Sequence, residues 1–498
     1  MPALPLSRRL GHRRLLYALL LASLPASLPG AAQARALAGP RLAHERQAAA
    51  HAASQVSRLV AAAPLAIFRT EPLELTRREQ DALLLDAPDA DLSRLLSQDE
   101  RERFHAYRRP RWMRAVADLA IQLFLFYLLL MRGLSARLYA SSERLQARLA
   151  GGVPPRLRAR LAGFEAALDR LWGSGDWPTA LLFASSLAAL GCLSQWPTSL
   201  VFDWVLPRQH GLSNQTFLRW LQLSSMALTT QLFGLSALAF GLWGLLRRVR
   251  RVWLWLGVPA GVLVALAGLA DPLTLQMRNQ LVALPAGPQR AAIEEVLQRA
   301  GLGAEEIDRI DAHRDTLALD AFITGQGATR RIVLFDTLLD ALSPPQLAAV
   351  VAHELGHLRD TNRLVRATLA GLCVPLLLWL GLRLLERAAR KRRFGIVDAR
   401  EVRALPLLLC LVFLAAVSLM PLSNRLARER ELRADLFALD LTRDPASLRT
   451  ALLQLARKNQ LDPAPPALVA ALLYDHPTLA KRLGLIDAWE EMEKSGER

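Results

Sequence analysis

The segment Val351-Ala352-His353-Glu354-Leu355-Gly356-His357 sets two imidazoles and a carboxylate in the spacing H-E-x-x-H. On a helix His353 and His357 fall one turn apart on one face, so both can offer a ring nitrogen to a single Zn²⁺ while Glu354 leans toward the same point. Such a trio could carry out metal-assisted hydrolysis, with the metal acidifying a water and Glu354 taking its proton. Two histidines leave a zinc one protein ligand short. The stretch Arg430-Glu431-Leu432-Arg433-Ala434-Asp435 offers the missing one. Glu431 and Asp435 are four apart, so Glu431 can reach the metal while Asp435, one turn on, accepts a hydrogen bond from a zinc histidine.

These residues need elements to hold them. Ser343-Pro344-Pro345-Gln346 reads as the cap and first turn of the helix that carries His353. Upstream, a helix is expected over 289–300, followed by two β-rich runs, 321–324 and 331–335, joined by a turn around Gly325-Gln326-Gly327-Ala328. A hairpin edge beside a hydrolytic site can take an extended chain as an added strand, which makes Ala321 and Phe322 candidate substrate contacts.

The 498 residues are 52% hydrophobic, with a mean hydropathy of +0.20. That is too apolar for ordinary soluble domains. Uncharged runs at 119–131, 179–201, 221–246, 252–270, 367–382 and 404–422 account for the excess and read as membrane spans, the first and fifth needing flanking residues. Pro421 marks a boundary where a broken helix is tolerated. At the N-terminus Arg8, Arg9, Arg13 and Arg14 precede an apolar stretch and Ala32-Gln33-Ala34. This is the layout of a secretory signal cleaved after Ala34, or of a first membrane anchor over 15–28.

The net charge of +17 does not point to nucleic acid, because the arginines are scattered between apolar runs rather than gathered on one binding surface. They read as topology signals. Basic groups at 132–160, 247–251 and 387–393 fall in alternate loops, which places them in the cytoplasm and residues 271–363 and the C-terminal tail on the opposite side. Arg108, Arg109, Arg111 and Arg114 run counter to this pattern. Cys192, Cys373 and Cys410 lie within apolar runs and offer neither a disulfide framework nor zinc ligands. Arginine far outnumbers lysine, as in a GC-rich bacterial proteome.

Taken with His210-Gly211-Leu212-Ser213-Asn214-Gln215-Thr216, Leu284-Pro285-Ala286-Gly287, Arg331 to Leu338 and Asp475-His476-Pro477 with Arg482, these motifs resemble the type I CAAX prenyl protease family from about His210 to Leu485. Those are multispanning zinc metalloproteases, with the HtpX proteases more distant. The resemblance implies that His353, His357 and Glu431 bind zinc, that Glu354 is the base, and that Asp435 is a proton donor or an orienting partner. It also implies that His476, Arg482 and Asn279 line the site, His476 as oxyanion donor. Asp320 stands where the family's edge strand usually begins with Asn, and the first 110 or so residues have no counterpart in the resemblance.

The expected fold class is mainly α, a polytopic helical membrane bundle with an inserted zincin-type α+β catalytic domain. Its parts are 1–34, signal or first anchor; 35–115, a helical extramembrane segment; 116–270, four spans with basic loops; 271–363, the catalytic insert; 364–422, two spans; and 423–498, the segment with the third ligand. The expected function is a zinc metalloendopeptidase, with one Zn²⁺ per chain, acting on protein or peptide substrates that are membrane-associated or belong to the envelope. A non-hydrolytic membrane scaffold or chaperone that kept the fold is the alternative. The bilayer is a partner and nucleic acid is not, and the expected location is a bacterial inner membrane with the catalytic side toward the periplasm.

Overall fold

The computed structural model describes residues 84 and 87–495, except 153, 173–175, 250, 270–280, 304–305, 326–329, 360–362 and 464. The signal or anchor expected over 1–34 and most of the segment 35–115 lie outside the described residues, as do Asn279 and the hairpin turn at 326–328.

Among the described residues, five helices are long and apolar enough to cross a membrane. The first, α1 (Gln98–Met131), starts on a capping box in which Ser97 accepts from the Glu100 N–H and Glu100 accepts from the Ser97 N–H. Apolar run 119–131 is thus only the second half of a 34-residue helix, and the boundary expected at 115 falls inside it. The described residues ahead of it form no separate segment: Ala87, Leu92 and Leu96 are buried in the catalytic core. Two surface helices follow, α2 (Leu134–Gly152) and α3 (Pro155–Trp172). The second span, α4 (Trp177–Ser199), runs on through a π-helical turn at Leu200–Val205 to Gln209, and the third is α5 (Phe217–Arg248).

The run 252–270 departs from expectation. Among the described residues it divides into a short helix, Val252–Trp255, and α6 (Gly257–Leu269), which ends where the described residues end. Its glycines explain its place. A Cβ on Gly261 would lie 2.2 Å from the Gly371 carbonyl oxygen, so α6 sits backbone to backbone against α9 (Arg363–Arg390), the small-residue contact by which helices associate in lipid.

Between α6 and α9 lies the α+β insert. Its sheet has the order β1-β2-β4-β3, from β1 (Val282–Ala283), β2 (Glu306–Ile310), β3 (Ala321–Thr324) and β4 (Arg331–Phe335). The expected hairpin is present as the antiparallel β3–β4 pair, with β3 at the edge, while β2 pairs in parallel with β4. Helix α7 (Pro288–Arg299), expected over 289–300, and α8 (Pro344–Leu358) pack on the sheet. The Ser343–Gln346 capping box opens α8 with Pro344 in its first turn, as its sequence predicts.

The last span does not stop at residue 422. Helix α10 (Leu405–Thr442) is unbroken for 38 residues through Pro421 and carries both Glu431 and Asp435. Bilayer segment and catalytic segment are one rod, and α11 (Pro445–Asn459) and α12 (Leu479–Ser495) close the core beneath it. The cysteines are free.

The ends of the spans settle how the arginines are arranged. The C-termini of α1, α5 and α9, which lead into the three basic groups, lie at the end of the bundle where α10 begins. The catalytic core gathers at the other end. Arg108, Arg111 and Arg114, which ran counter to the pattern, have structural work instead. Arg108 donates to the Gln460 and Asn459 carbonyls, Arg111 to the Tyr107 hydroxyl, and Arg114 pairs with Asp118 and Asp203.

Candidate active site

Two helices build the site. Helix α8 presents His353, Glu354 and His357, and α10 crosses it closely enough that a Cβ on Gly356 would lie 2.8 Å from the Ala434 Cα. That approach brings Glu431 between the two imidazoles. Its carboxylate oxygens lie 3.4 Å from His353 Nε2 and 3.4 Å from His357 Nε2. The two rings stand nearly perpendicular with centroids 4.9 Å apart, and the ligand atoms of His353, Glu354 and His357 all fall within 4.8 Å of one another. Two Nε2 lone pairs and a buried carboxylate facing one point form the nitrogen–oxygen donor set of a hydrolytic zinc site. The residues fit the metal.

Behind the ligands, Asp435 is fully buried and its Oδ1 lies 2.8 Å from His353 Nδ1. Arg482, on α12, donates to both oxygens of Asp435 at 2.7 and 2.6 Å. Arg482 thereby ties the Glu431 helix to the segment that carries His476. With both oxygens engaged, Asp435 orients His353 so that its Nε2 lone pair faces Glu431. His476 extends from the 475–478 loop with Nε2 3.6 Å from Glu431 Oε2 and Nδ1 2.8 Å from Asp475 Oδ1. His357 Nδ1, in contrast, is buried without a hydrogen-bond partner.

The charges of the site follow from this packing. Burial alone would strip the proton from His353, but the Asp435 carboxylate, its hydrogen bond and Glu431 outweigh burial and carry the pKa up to about 9. Burial and the neighbouring His353 charge push His357 down to about 3. Burial, with Asp320 and Glu431 nearby, lifts Glu354 to about 7 against the pull of His353. This is the range in which a carboxylate both accepts and returns a proton near neutrality. The hydrogen bond that the His476 ring donates to the Asp475 carboxylate raises the His476 pKa.

The cleft in front of these groups encloses about 580 Å³. Its floor is apolar, with Leu338, Val350, Leu448 and Leu452, and its rim carries Asp320, Ala321 and Tyr474. On the edge strand the two candidate contacts separate. Ala321 lines the cleft, whereas Phe322 lies on the opposite face of the sheet and packs with Ile310 and Val333. Side chains alternate along a strand, so only one of two consecutive residues can face the site. Because the Phe335 N–H donates to the Asp320 carbonyl, the backbone groups turned away from β4 are those of Ala321 and Ile323. The Ala321 N–H is accepted by the Asp320 side chain.

The sequence reading missed Asn459, whose side chain accepts from the Leu319 N–H and donates to the Leu319 carbonyl, fixing the start of the edge strand. A contact across 140 residues leaves no local pattern to find. A second His/Asp group, Asp311, His313 and Asp336, is ligand-like only in composition. Asp336 accepts from the backbone N–H groups of Ala312, His313 and Thr337 and from the His313 ring, which ties down an exposed loop.

Comparison with known proteins agrees with this geometry. Residues 285–490 match the model of Peptidase family M48. The chain is 28% identical over 299 residues to the uncharacterized metalloprotease YhfN of Bacillus subtilis, covering 57% of this chain and 68% of that protein. It is 26% identical over 337 residues to CAAX prenyl protease 1 of Saccharomyces cerevisiae, covering 64% and 74%. The crystal structure of S. mikatae Ste24p superposes with a TM-score of 0.63 at 20% identity, over 82% of this chain and 94% of that one, a likeness of fold. The resemblance to the CAAX prenyl proteases and the fold class read from the sequence both hold. The segment matched by the model of peptidase family M48 encloses every side chain of the cluster, and with five described helices able to cross a membrane the chain is similar to multi-pass membrane metalloproteases.

Proposed function

We propose that the protein is a zinc-dependent endopeptidase that cleaves membrane-associated or envelope proteins in extended form, with its catalytic face toward the periplasm of a bacterial inner membrane. The observation that carries this reading is the placement of Glu431 3.4 Å from both Nε2 atoms with Glu354 alongside. His353, His357 and Glu431 would hold the zinc, which when bound polarises a peptide carbonyl and acidifies a water. Glu354 accepts a proton from that water and passes it to the leaving amine nitrogen. Asp435, itself neutralised by Arg482, holds His353 in the tautomer with Nε2 free. His476, whose proton affinity Asp475 raises, donates in its charged form from Nε2 to the carbonyl oxygen as negative charge builds there. The Ala321 carbonyl and the Ile323 backbone groups, turned away from β4, support binding of the substrate as an added strand, and the leucine floor of the cleft favours an apolar side chain next to the scissile bond.

The test is metal analysis paired with a casein-type cleavage assay on the full chain, and substrate trapping with Glu354→Gln. About one zinc per chain with chelator-sensitive cleavage is expected. A chain that loads no zinc and cleaves nothing would instead be a scaffold that kept the fold.

A further inference from the structure

At the far end of the bundle, where α2, α4, α5 and α10 meet, lies a second cavity of about 540 Å³. On α10 alone, 26 residues separate Leu405, beside this cavity, from Glu431. At 1.5 Å per residue that is about 39 Å, close to the thickness of a bilayer with its headgroups. The cavity therefore sits at the opposite membrane face from the catalytic cluster and plays no part in the hydrolysis.

Its lining is unusual in charge. Arg247, Arg400 and Arg403 share the cavity with Asp176, Asp398 and Glu401. Three cations and three anions thus face one space. The Arg403 guanidinium lies 4.2 Å from the Tyr139 ring centroid and Arg247 lies 5.1 Å from that of Trp243. Trp243 is only 2% exposed and its indole Nε1 is buried without a hydrogen-bond partner. Both rings brace guanidinium groups at the cavity wall, and the indole N–H itself is closed off from the space. Beside it, α2 carries the exposed Leu145 and Leu149, as expected of an amphipathic helix lying in the interface.

We infer that this cavity binds a zwitterionic phosphodiester–ammonium group, that of a phospholipid headgroup of the phosphoethanolamine class. The phosphate accepts from the arginines, and the ammonium is taken by Asp176, Asp398 and Glu401. An anionic headgroup satisfies the first set and leaves three carboxylates facing it, so the site prefers a headgroup with both charges.

Native mass spectrometry of the full chain released from nanodiscs of equal phosphatidylethanolamine and phosphatidylglycerol tests this. Wild type should retain phosphatidylethanolamine about tenfold over phosphatidylglycerol. Arg403→Gln, which keeps the length and removes the charge, should weaken retention of phosphatidylethanolamine at least about tenfold, the worth of one charge-assisted hydrogen bond. Asp398→Asn combined with Glu401→Gln should abolish the preference while leaving retention of phosphatidylglycerol intact or improved. Zinc content identical to wild type certifies that each variant is folded. Soluble phosphoethanolamine displacing the lipid at equal concentration would assign the same chemistry to a free ligand, and displacement only at large excess assigns it to the lipid. Equal retention of both lipids by wild type, or a preference that survives in the double carboxamide variant, would overturn the inference.

Discussion

Gly356 and Ala434 touch at the crossing of α8 and α10, with room for no side chain at position 356: a Cβ there would come within 2.8 Å of the Ala434 Cα. The separation of the two helices, and so the distance from Glu431 to His353 and His357, is set by this contact. Gly356→Ala should force the helices apart at a cost of about 1–3 kcal/mol. It should lower both the melting temperature and the zinc affinity while leaving helix content unchanged. A variant with native zinc affinity would show that another contact sets the spacing.

The ligand and base roles separate cleanly by substitution. Glu431→Ala should lose zinc and activity together. Glu354→Gln should keep zinc near the native level and lose turnover by several orders of magnitude, since an amide cannot accept the proton. Full zinc occupancy in the first variant, or appreciable cleavage by the second, would reassign the residue concerned.

Asp435 and Arg482 form the support. Asp435→Ala should weaken zinc binding about 10- to 100-fold by freeing the His353 ring. Arg482→Ala leaves Asp435 buried with His353 as its remaining partner and should destabilise the fold by about 3–5 kcal/mol. Unchanged metal affinity with lost turnover in Asp435→Ala would favour a proton-donor role.

Metal loading should depend on pH through His353. In the metal-free protein its pKa is raised to about 9, so below that pH a zinc ion must displace a proton to reach Nε2. Apparent affinity should therefore rise with pH by up to about tenfold per unit and flatten above 9. Calorimetry in buffers of different ionisation enthalpy would count the proton released. Affinity that is flat from pH 6 to 9 would mean His353 is already neutral.

Sidedness is open to a direct measurement. The three basic groups lie at the end of the bundle away from the site, so the rule that positive loops stay inside predicts an exterior catalytic face. Alkaline phosphatase fused near Gly303 or after Arg498 should be active, and near Arg250 silent. The reverse pattern would put the site in the cytoplasm.

The parts of this molecule governed by short-range rules were legible in the sequence. The H-E-x-x-H spacing, the Ser343–Gln346 cap and the β3–β4 hairpin each depend on residues within a few positions of one another. Hydropathy found the spans but misjudged their ends, because charged residues end an apolar run without ending a helix, as in α1 and α10. At 252–270 the glycines also serve packing against α9. The parallel pairing of β2 with β4 and the grip of Asn459 on Leu319 join distant stretches and left no trace in either. Arg108 read as a topology signal because a count of charges cannot see two carbonyls 351 and 352 residues away.

The unbroken course of α10 from lipid to ligand makes it a ruler. Nine residues separate Leu422, where the apolar run ends, from Glu431, a height of about 14 Å along the helix. An extended chain rising from the membrane surface covers that height in about four residues. A substrate anchored in the same bilayer thus presents its scissile bond no nearer than about four residues from the point where it leaves the lipid. The helix that supplies the third ligand also measures where along a tethered chain the cut can fall.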